Sequence, residues 1–207
     1  VTPLPQPGNP KPRLYRLPQA EALINRMGFN NLGVDHLVEQ LSQRNSTGIV
    51  GVNIGKNKAT PLVNACDDYV TCLTKVYPVA DYVSINISSP NTPGLRELQS
   101  AEYLQDVVRT LENKRAELSL KHGKRIPLVV KTSIDLSTPD LYQLVDILLA
   151  HHIDGIVVSN TSTNHSAVAA LKHGHEMGGL SGKPIAQASN QMIKLINEYT
   201  QHALPII

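Results

Sequence analysis

Short apolar runs rich in valine and isoleucine alternate along this chain with longer segments of helical periodicity. Runs of this length are typical of buried parallel strands, because both faces of such a strand are covered and no polar alternation is needed. The runs cover residues 49–54, 82–87, 127–131, 155–159 and 204–207. Single strands that alternate with helices predict an α/β fold with a parallel sheet.

The clearest helical pattern begins at Ser137 or Thr138, either of which can serve as the N-cap. Pro139 suits the first helical turn, where a backbone N–H has no partner to lose. Apolar residues then recur three and four positions apart and form one stripe, made of Leu141, Leu144, Val145, Leu148 and Leu149. The sequence therefore predicts an amphipathic helix that packs on the sheet.

Other segments carry further helical patterns, and Gly123 is placed to end the longest of them. The proline-rich residues 1–18 predict an extended, irregular lead-in, and a short helical turn is predicted over residues 19–26. The remaining predicted helices cover residues 101–121, residues 184 onward and, more weakly, residues 35–44 and 68–75.

Polar side chains fall at the carboxyl ends of four different predicted strands. These residues are Asn53, Asn86, Lys131 and the pair Ser159 and Asn160. In a closed (β/α)8 TIM barrel such ends converge on one mouth, whereas an open doubly wound sheet sets them along a line. The pattern favours the barrel. Because only five strands are readable, we expect residues 1–207 to be a single barrel domain that lacks its first and last strands.

The composition excludes several classes of function. With 207 residues, 41% of them hydrophobic and 17% charged, the chain can bury a sizeable core, and its net charge of +2 includes no basic run for nucleic acid. No apolar stretch approaches the roughly 20 residues that span a bilayer. Cys66 and Cys72 fit no zinc pattern and predict reduced thiols. His173 and His175 are expected to lie on solvated surface, so no metal site is predicted.

The run from residue 84 to residue 96 concentrates candidate chemistry. Strand alternation sends Asn86 and Ser88 to the same side, and Pro90 and Pro93 stiffen the turn that follows. The turn thereby holds three hydrogen-bonding side chains with little freedom, namely Ser89, Asn91 and Thr92. Such a cluster predicts a small-molecule site, although a lone Ser-Pro-Asn would be an ordinary polar turn.

This run resembles the active-site loop of the dihydroorotate dehydrogenases, flavoproteins of pyrimidine biosynthesis. Ser89 resembles their quinone-dependent, membrane-linked class 2, whereas the soluble class 1 carries cysteine there. Five further blocks resemble the family in the right order, so the chain is similar to the central part of the catalytic barrel. They lie at residues 24–31, 52–57, 130–131, 153–161 and 178–184.

The resemblance implies oxidation of dihydroorotate to orotate, with a proton lost from C5 and a hydride passed from C6 to N5 of flavin mononucleotide (FMN). It assigns Ser89 as the base, and Thr92 and Phe29 as residues that shape the proton relay. A serine hydroxyl is a weak base at neutral pH, so it needs such a relay. The resemblance places the ammonium of Lys131 near flavin N1 and O2, where it stabilises developing negative charge. A lysine that snorkels at the barrel rim is the alternative.

The resemblance also assigns binding residues. Asparagine carboxamides suit a pyrimidine edge, because each supplies both a donor and an acceptor. The implied substrate contacts are Asn25, Arg26, Met27, Gly28, Phe29, Asn86, Asn91, Asn160 and Thr161. The implied FMN contacts are Asn53, Asn86, Lys131, Ser159 and Gly182.

Class 2 membership implies a quinone as partner and no nucleic acid. It implies peripheral attachment to the cytoplasmic face of a bacterial inner membrane through a segment absent from this sequence, while this stretch is expected to be soluble. Two alternatives stay open. One is another flavin barrel acting on pyrimidines, such as that of dihydropyrimidine dehydrogenase, which Ser89 in place of cysteine disfavours. The other is a non-catalytic fragment unable to hold FMN.

Overall fold

The computed structural model describes residues 1–91 and 94–207. Helices and strands alternate through most of this part of the chain. In order, the elements are β1 (Leu14–Leu17), β2 (Ala22–Asn25), α1 (Gly33–Ser42), β3 (Gly51–Ile54), α2 (Ala65–Val76), β4 (Tyr82–Asn86), α3 (Ala101–His122), β5 (Leu128–Lys131), α4 (Thr138–Ala150), β6 (Gly155–Val157), β7 (Gly179–Gly182) and α5 (Lys183–Thr200).

A parallel sheet runs through the centre of the described residues in the order β3-β4-β5-β6. Ile206 extends it through a parallel bridge to Ile156 in β6. The strand order follows the chain without a reversal, and each helix from α1 to α5 contacts the next. A doubly wound sheet would reverse its order at a switch point, and no reversal occurs among these four strands.

The parallel strands and the helices confirm the predictions made from apolar periodicity. The N-cap of α4 is Ser137, whose Oγ accepts the backbone N–H of Asp140 at 3.3 Å. Helix α3 ends at Gly123, which takes a left-handed conformation with φ of 65°. Glycine enters this region without the steric cost that a Cβ brings, so it ends the helix where the sequence predicted.

A second, antiparallel sheet in the order β1-β2-β7 corrects two predictions. The helical turn predicted over residues 19–26 is confined to a single 3-10 turn at Pro18–Ala20, and residues 22–25 instead form the central strand of this sheet. Its residues have fair helix propensity, but pairing on both edges outweighs that weak local preference. The lead-in is also more regular than predicted, since β1 pairs with β2 from Leu14 opposite Asn25 to Leu17 opposite Ala22.

Two hydrophobic clusters stabilise the described residues. The larger one lies between the parallel sheet and its helices and includes Ile85, Leu111 and Leu144, all almost fully buried. The smaller one packs Tyr15 and Ile24 of the antiparallel sheet against neighbouring side chains. Within residues 1–91 and 94–207, no helix combines the length and the apolar character needed to cross a membrane.

Candidate active site

A network of amide and hydroxyl groups joins three strand ends at the carboxyl edge of the parallel sheet. Asn86 ends β4 opposite Lys131, the last residue of β5. The Oδ1 atom of Asn86 accepts from the Ser88 backbone N–H at 3.2 Å and from Asn160 Nδ2 at 3.4 Å. Ser88 Oγ donates to the Lys131 carbonyl at 2.7 Å and accepts from Asn160 Nδ2 at 3.1 Å. Three of the four strand ends that the sequence predicted to converge, those of β4, β5 and β6, therefore lie together.

A second amide pair lies beside this network. Asn91 Nδ2 donates to the backbone carbonyl of Asn25 at 3.1 Å and lies 3.4 Å from Asn25 Oδ1. Asn25 ends β2 opposite Gly179, the first residue of β7. Gly179 packs so closely on Thr161 that a Cβ would overlap Thr161 Oγ1. The antiparallel sheet therefore delivers Asn25 to the mouth of the parallel sheet.

Ser89, the proposed base, is buried at 8% exposure. Its Oγ accepts the backbone N–H of Asn91 at 3.3 Å, which fixes the side chain within the turn. Below it, the hydroxyl of Tyr69 donates to the Asn86 carbonyl at 2.8 Å. Burial strongly raises the pKa of Tyr69, so this hydroxyl keeps its proton and remains a donor. Thr92, assigned to the relay, lies outside the described residues.

Two polar groups near the carboxyl ends of β3 and β5 leave hydrogen-bonding capacity unused. Burial lowers the pKa of Lys131, and no carboxylate within residues 1–91 and 94–207 forms an ion pair with its ammonium. Asn53 Oδ1 is buried and has no hydrogen-bond partner among the described residues. A buried acceptor and an unpaired ammonium are costly unless a ligand satisfies them. A carbonyl oxygen would suit the ammonium and an N–H would suit Asn53 Oδ1, and an isoalloxazine edge carries both kinds of group.

The other predicted flavin contacts lie in different settings. Ser159 Oγ donates to the carbonyl of Asn160 at 3.0 Å, so it borders the network. Gly182 is exposed at the start of α5, three residues beyond Gly179 and therefore roughly 10 Å along β7. Its φ is 98°, and a Cβ there would overlap the Glu21 carbonyl. Packing alone thus accounts for glycine at position 182, and its flavin contact stays a prediction.

The backbone of residues 26–29 is held by two side chains of the lead-in. Asn9 Nδ2 donates to the Arg26 carbonyl at 3.0 Å, and Gln6 Nε2 donates to the carbonyls of Gly28 and Phe29 at 3.2 and 3.1 Å. The Asn9 backbone N–H donates to the Met27 carbonyl at 3.1 Å. The predicted cradle therefore has its carbonyl oxygens engaged by the protein itself.

The side chains of Arg26 and Phe29 make their contacts outside the amide network. The Arg26 guanidinium pairs with Glu176 at 3.1 Å and stacks 4.9 Å from the ring centroid of Tyr15. The Phe29 ring lies against Gly55, where a Cβ would come within 2.9 Å of the ring. Gly55 directly follows β3, so Phe29 borders the mouth at this strand.

A cavity of about 820 Å³ opens beside Asn91, next to the amide network. Of the predicted site residues, Arg26 and Asn91 line it, together with Lys11 and Lys58, whereas Asn86 and Lys131 do not. We therefore place the candidate chemistry at the amide network, and regard this cavity as its outer approach. Within the described part of the chain, no three His, Cys, Asp or Glu side chains are grouped to hold a metal.

Sequence reasoning missed several residues of this site. Alternation placed Ser88 on the same face as Asn86, but the sequence did not assign Ser88 to the site. Gly179 lies in a block that the sequence singled out, but nothing local indicated its contact with Thr161. Gln6 and Asn9 carried no signal, because their contacts join an irregular segment to residues about twenty positions away.

Comparisons with known proteins identify the family of this chain. The profile of the family described as "Dihydroorotate dehydrogenase" matches residues 1–207. The chain is 53% identical to "Dihydroorotate dehydrogenase (quinone)" of Proteus mirabilis and 50% identical to that of Vibrio parahaemolyticus. Both alignments cover all of this chain but 62% of the relative, so the chain spans about three fifths of the length of these curated relatives. A ligand-free DHODH from Eimeria tenella superimposes with a TM-score of 0.92 at 36% identity, covering all of this chain and 62% of that one.

Proposed function

Because this chain belongs to the dihydroorotate dehydrogenase family, we propose that it oxidises dihydroorotate to orotate in pyrimidine biosynthesis. FMN is the hydride acceptor and a quinone is the final electron acceptor. The quinone is named in the descriptions of the curated relatives, which are 50–53% identical to this chain.

The observation that carries this proposal is the pair of amide groups around the serine loop. Asn86 and Asn160 form one pair, and Asn25 and Asn91 form the other. A pyrimidine ring displays alternating N–H and C=O groups, and carboxamides can match both kinds. Ser89 lies between Asn86 and Asn91 in the chain, one member of each pair, and is buried.

The protein's own groups bind the substrate and manage the proton. Ser89 takes the proton from C5 of dihydroorotate, and the proton then passes to a relay, because a serine hydroxyl holds it poorly. Thr92 and Phe29 shape that relay. The carboxamides of Asn25, Asn86, Asn91 and Asn160, together with Thr161 and the backbone of residues 26–29, orient the ring.

Lys131 and Asn53 would hold the flavin, together with Asn86, Ser159 and Gly182. When bound, FMN supplies the redox chemistry by accepting the hydride from C6. The ammonium of Lys131 has no carboxylate partner among the described residues, so its charge is available to a ligand. Its positive charge favours ligands that gain negative charge during the reaction.

We also propose that the parallel sheet is part of a closed (β/α)8 barrel that forms one FMN-binding domain. The unreversed strand order supports this, as does the superposition on the Eimeria tenella structure. A quinone is dissolved in lipid, so the whole protein is expected to act at a membrane surface. In a bacterium that surface is the cytoplasmic face of the inner membrane.

Anaerobic reduction of the flavin tests the proposal. The purified protein, loaded with FMN, should be yellow and should bleach when dihydroorotate is added. Ser89→Ala should retain the flavin and lose about 100-fold or more of the bleaching rate, since general-base catalysis contributes about 10²–10⁴-fold. Ser137→Ala is the matched control, because Ser137 caps α4 away from the network.

Each outcome of this experiment is informative. A protein that binds no FMN would contradict the proposal and support the non-catalytic alternative. Bleaching by a dihydropyrimidine without the carboxylate, and not by dihydroorotate, would support another pyrimidine-oxidising flavin barrel. Normal bleaching in Ser89→Ala would exclude Ser89 as the base.

A further inference from the structure

Arg96 connects three loops around the candidate active site. It lies two residues after Gly94, at the end of the loop that carries Ser89. Its Nη1 atom pairs with Asp135 Oδ2 at 2.8 Å, and its Nη2 atom donates to the Thr161 carbonyl at 3.1 Å. Its Nε atom makes a longer contact of 3.4 Å with the Ser88 carbonyl. One guanidinium thus touches the loops that follow β4, β5 and β6.

The two carbonyl groups that Arg96 contacts belong to peptides next to assigned site residues. The Ser88 carbonyl is part of the peptide bond to Ser89, so its orientation sets the plane from which the Ser89 side chain projects. The Thr161 carbonyl belongs to a residue of the predicted substrate contact, directly after Asn160. Arg96 therefore acts on the relative position of the base and the substrate-binding amide.

Asp135 anchors the guanidinium and is itself held firmly. It accepts from the Ser162 hydroxyl and from the backbone N–H of Thr163, the latter at 2.8 Å. Burial raises the pKa of Asp135, but hydrogen bonds from Ser162, Thr163 and Arg96 outweigh that effect and leave the pKa below its usual value. The carboxylate is therefore charged at neutral pH and keeps Arg96 in place.

We propose that Arg96, anchored by Asp135, is a positioning residue that fixes the separation between Ser89 and Thr161 required by the reaction. This inference rests on the proposed function, because it assigns a role in the same reaction. The planar guanidinium reaches four acceptors in fixed directions at once, the fourth being Thr163 Oγ1 at 3.3 Å, and a lysine ammonium on a flexible stem does not reproduce this. A displacement of about 1 Å at a reacting group costs about 100-fold in rate.

The test is the rate of flavin bleaching by dihydroorotate in the FMN-loaded protein. Arg96→Ala should retain FMN and lose about 100-fold of the limiting rate, with a smaller change in the dihydroorotate concentration that gives half of that rate. Arg96→Lys should also bleach more slowly than the wild type, because lysine keeps the positive charge but lacks the planar set of donors of the guanidinium. Reoxidation of the reduced flavin by a short-chain quinone should be unchanged in both variants, since that step needs no proton transfer through Ser89.

The matched control is Arg125→Ala. Arg125 forms a comparable ion pair with Asp154 at 2.7 Å, but at the opposite edge of the sheet, so its bleaching rate should equal that of the wild type. Millimolar guanidinium ion should restore part of the rate to Arg96→Ala and none to Ser89→Ala. A loss that is purely structural would lower the melting temperature without such rescue.

The results separate this inference from the proposed function. If the wild-type protein does not bleach with dihydroorotate, the proposed function fails, and this inference fails with it. If the wild type bleaches and Arg96→Ala bleaches at the same rate, this inference alone is overturned. Equal slowing in the dihydroorotate and quinone steps, or slowing without guanidinium rescue, would also overturn it, because a positioning role predicts a selective and rescuable loss.

Discussion

Carboxylates at the amino edge of the parallel sheet are paired within the protein, whereas two polar groups at its carboxyl edge lack partners among the described residues. At the amino edge, Asp81 precedes β4 and accepts from the Val50 backbone N–H at 2.7 Å and from Arg44 at 3.2 Å. The Val50 hydrogen bond and the Arg44 contact lower the pKa of Asp81. At the carboxyl edge, the Lys131 ammonium and Asn53 Oδ1 find no such partners among the described residues.

Asp154, also at the amino edge, likewise finds its partners within the protein. It precedes β6 and accepts from Arg115 and Arg125 as well as from the Leu128 backbone N–H at 2.8 Å. Charged groups that are paired within the protein, such as Asp81 and Asp154, stabilise the fold. Groups left unsatisfied cost stability and are retained where a ligand completes them. The contrast therefore distinguishes the ion pairs of the amino edge from Lys131 and Asn53 at the carboxyl edge.

Replacement of Asp154 should give the largest effect on folding. Asp154→Ala leaves the Arg115 guanidinium, with a side chain only 6% exposed, without its carboxylate. We expect the free energy of unfolding to fall by about 3–5 kcal/mol, as for other broken buried ion pairs. Urea denaturation measures this loss. The control Arg125→Ala removes a half-exposed partner and should cost less than about 1 kcal/mol.

A substitution at Gly179 should have an effect of intermediate size. It should lower the affinity for orotate more than the stability of the fold. A Cβ at this position overlaps Thr161, so Gly179→Ala should displace Thr161 and Asn160. We expect orotate affinity to fall by at least about tenfold, or about 1.4 kcal/mol. Isothermal titration of the FMN-loaded protein measures it. Gly48→Ala is the control, since nothing lies within 4 Å of its Cβ position, and equal affinities in the two variants would contradict the assignment.

Removal of the Lys131 charge should give the smallest effect on folding, with a sign opposite to that of Asp154. Because Lys131→Met removes a partly buried ammonium without a carboxylate partner, the free energy of unfolding of the flavin-free protein should rise by about 1 kcal/mol. FMN affinity should fall at the same time. Thermal denaturation with and without FMN measures both, and a clear destabilisation of the flavin-free variant would refute the contrast between the two edges.

The same residue predicts the direction of a pH effect. Burial lowers the pKa of Lys131 below its ordinary value of 10.5, so the unfolded chain binds more protons than the folded one just below that pH. The free energy of unfolding of the flavin-free protein therefore gains a contribution as the pH rises through the folded pKa toward 10.5. Lys131→Met should remove that gain.

The parallel strands and most helices were predictable because each carries its signal locally. The apolar run that became β5 and the stripe that became α4 need no knowledge of distant residues. The antiparallel sheet was not predictable in this way. Its strands have four residues each, β7 contains two glycines, and their stability comes from pairing partners that are more than 150 positions apart in β2 and β7.

The residues of the candidate site also differ in whether their positions could be predicted from local sequence. Asn86, Lys131 and Asn160 follow recognisable strands, so their convergence could be expected from the sheet alone. The contacts of Arg96 and Gly179 depend on how loops fold back over one another, and periodicity carries no information about that. Ser88 lay between these cases, since its strand face was predicted but its place in the network was not.

The side chains of Gln6 and Asn9 have a practical consequence for protein engineering. Together they tie residues 1–12, which look dispensable in the sequence, to the backbone carbonyls of the substrate-side segment. A shortened gene that starts at Leu14 would keep both hydrophobic clusters nearly intact and would still release this segment. Trimming for crystallisation, or fusion of a tag close to residue 9, would therefore impair the orotate site.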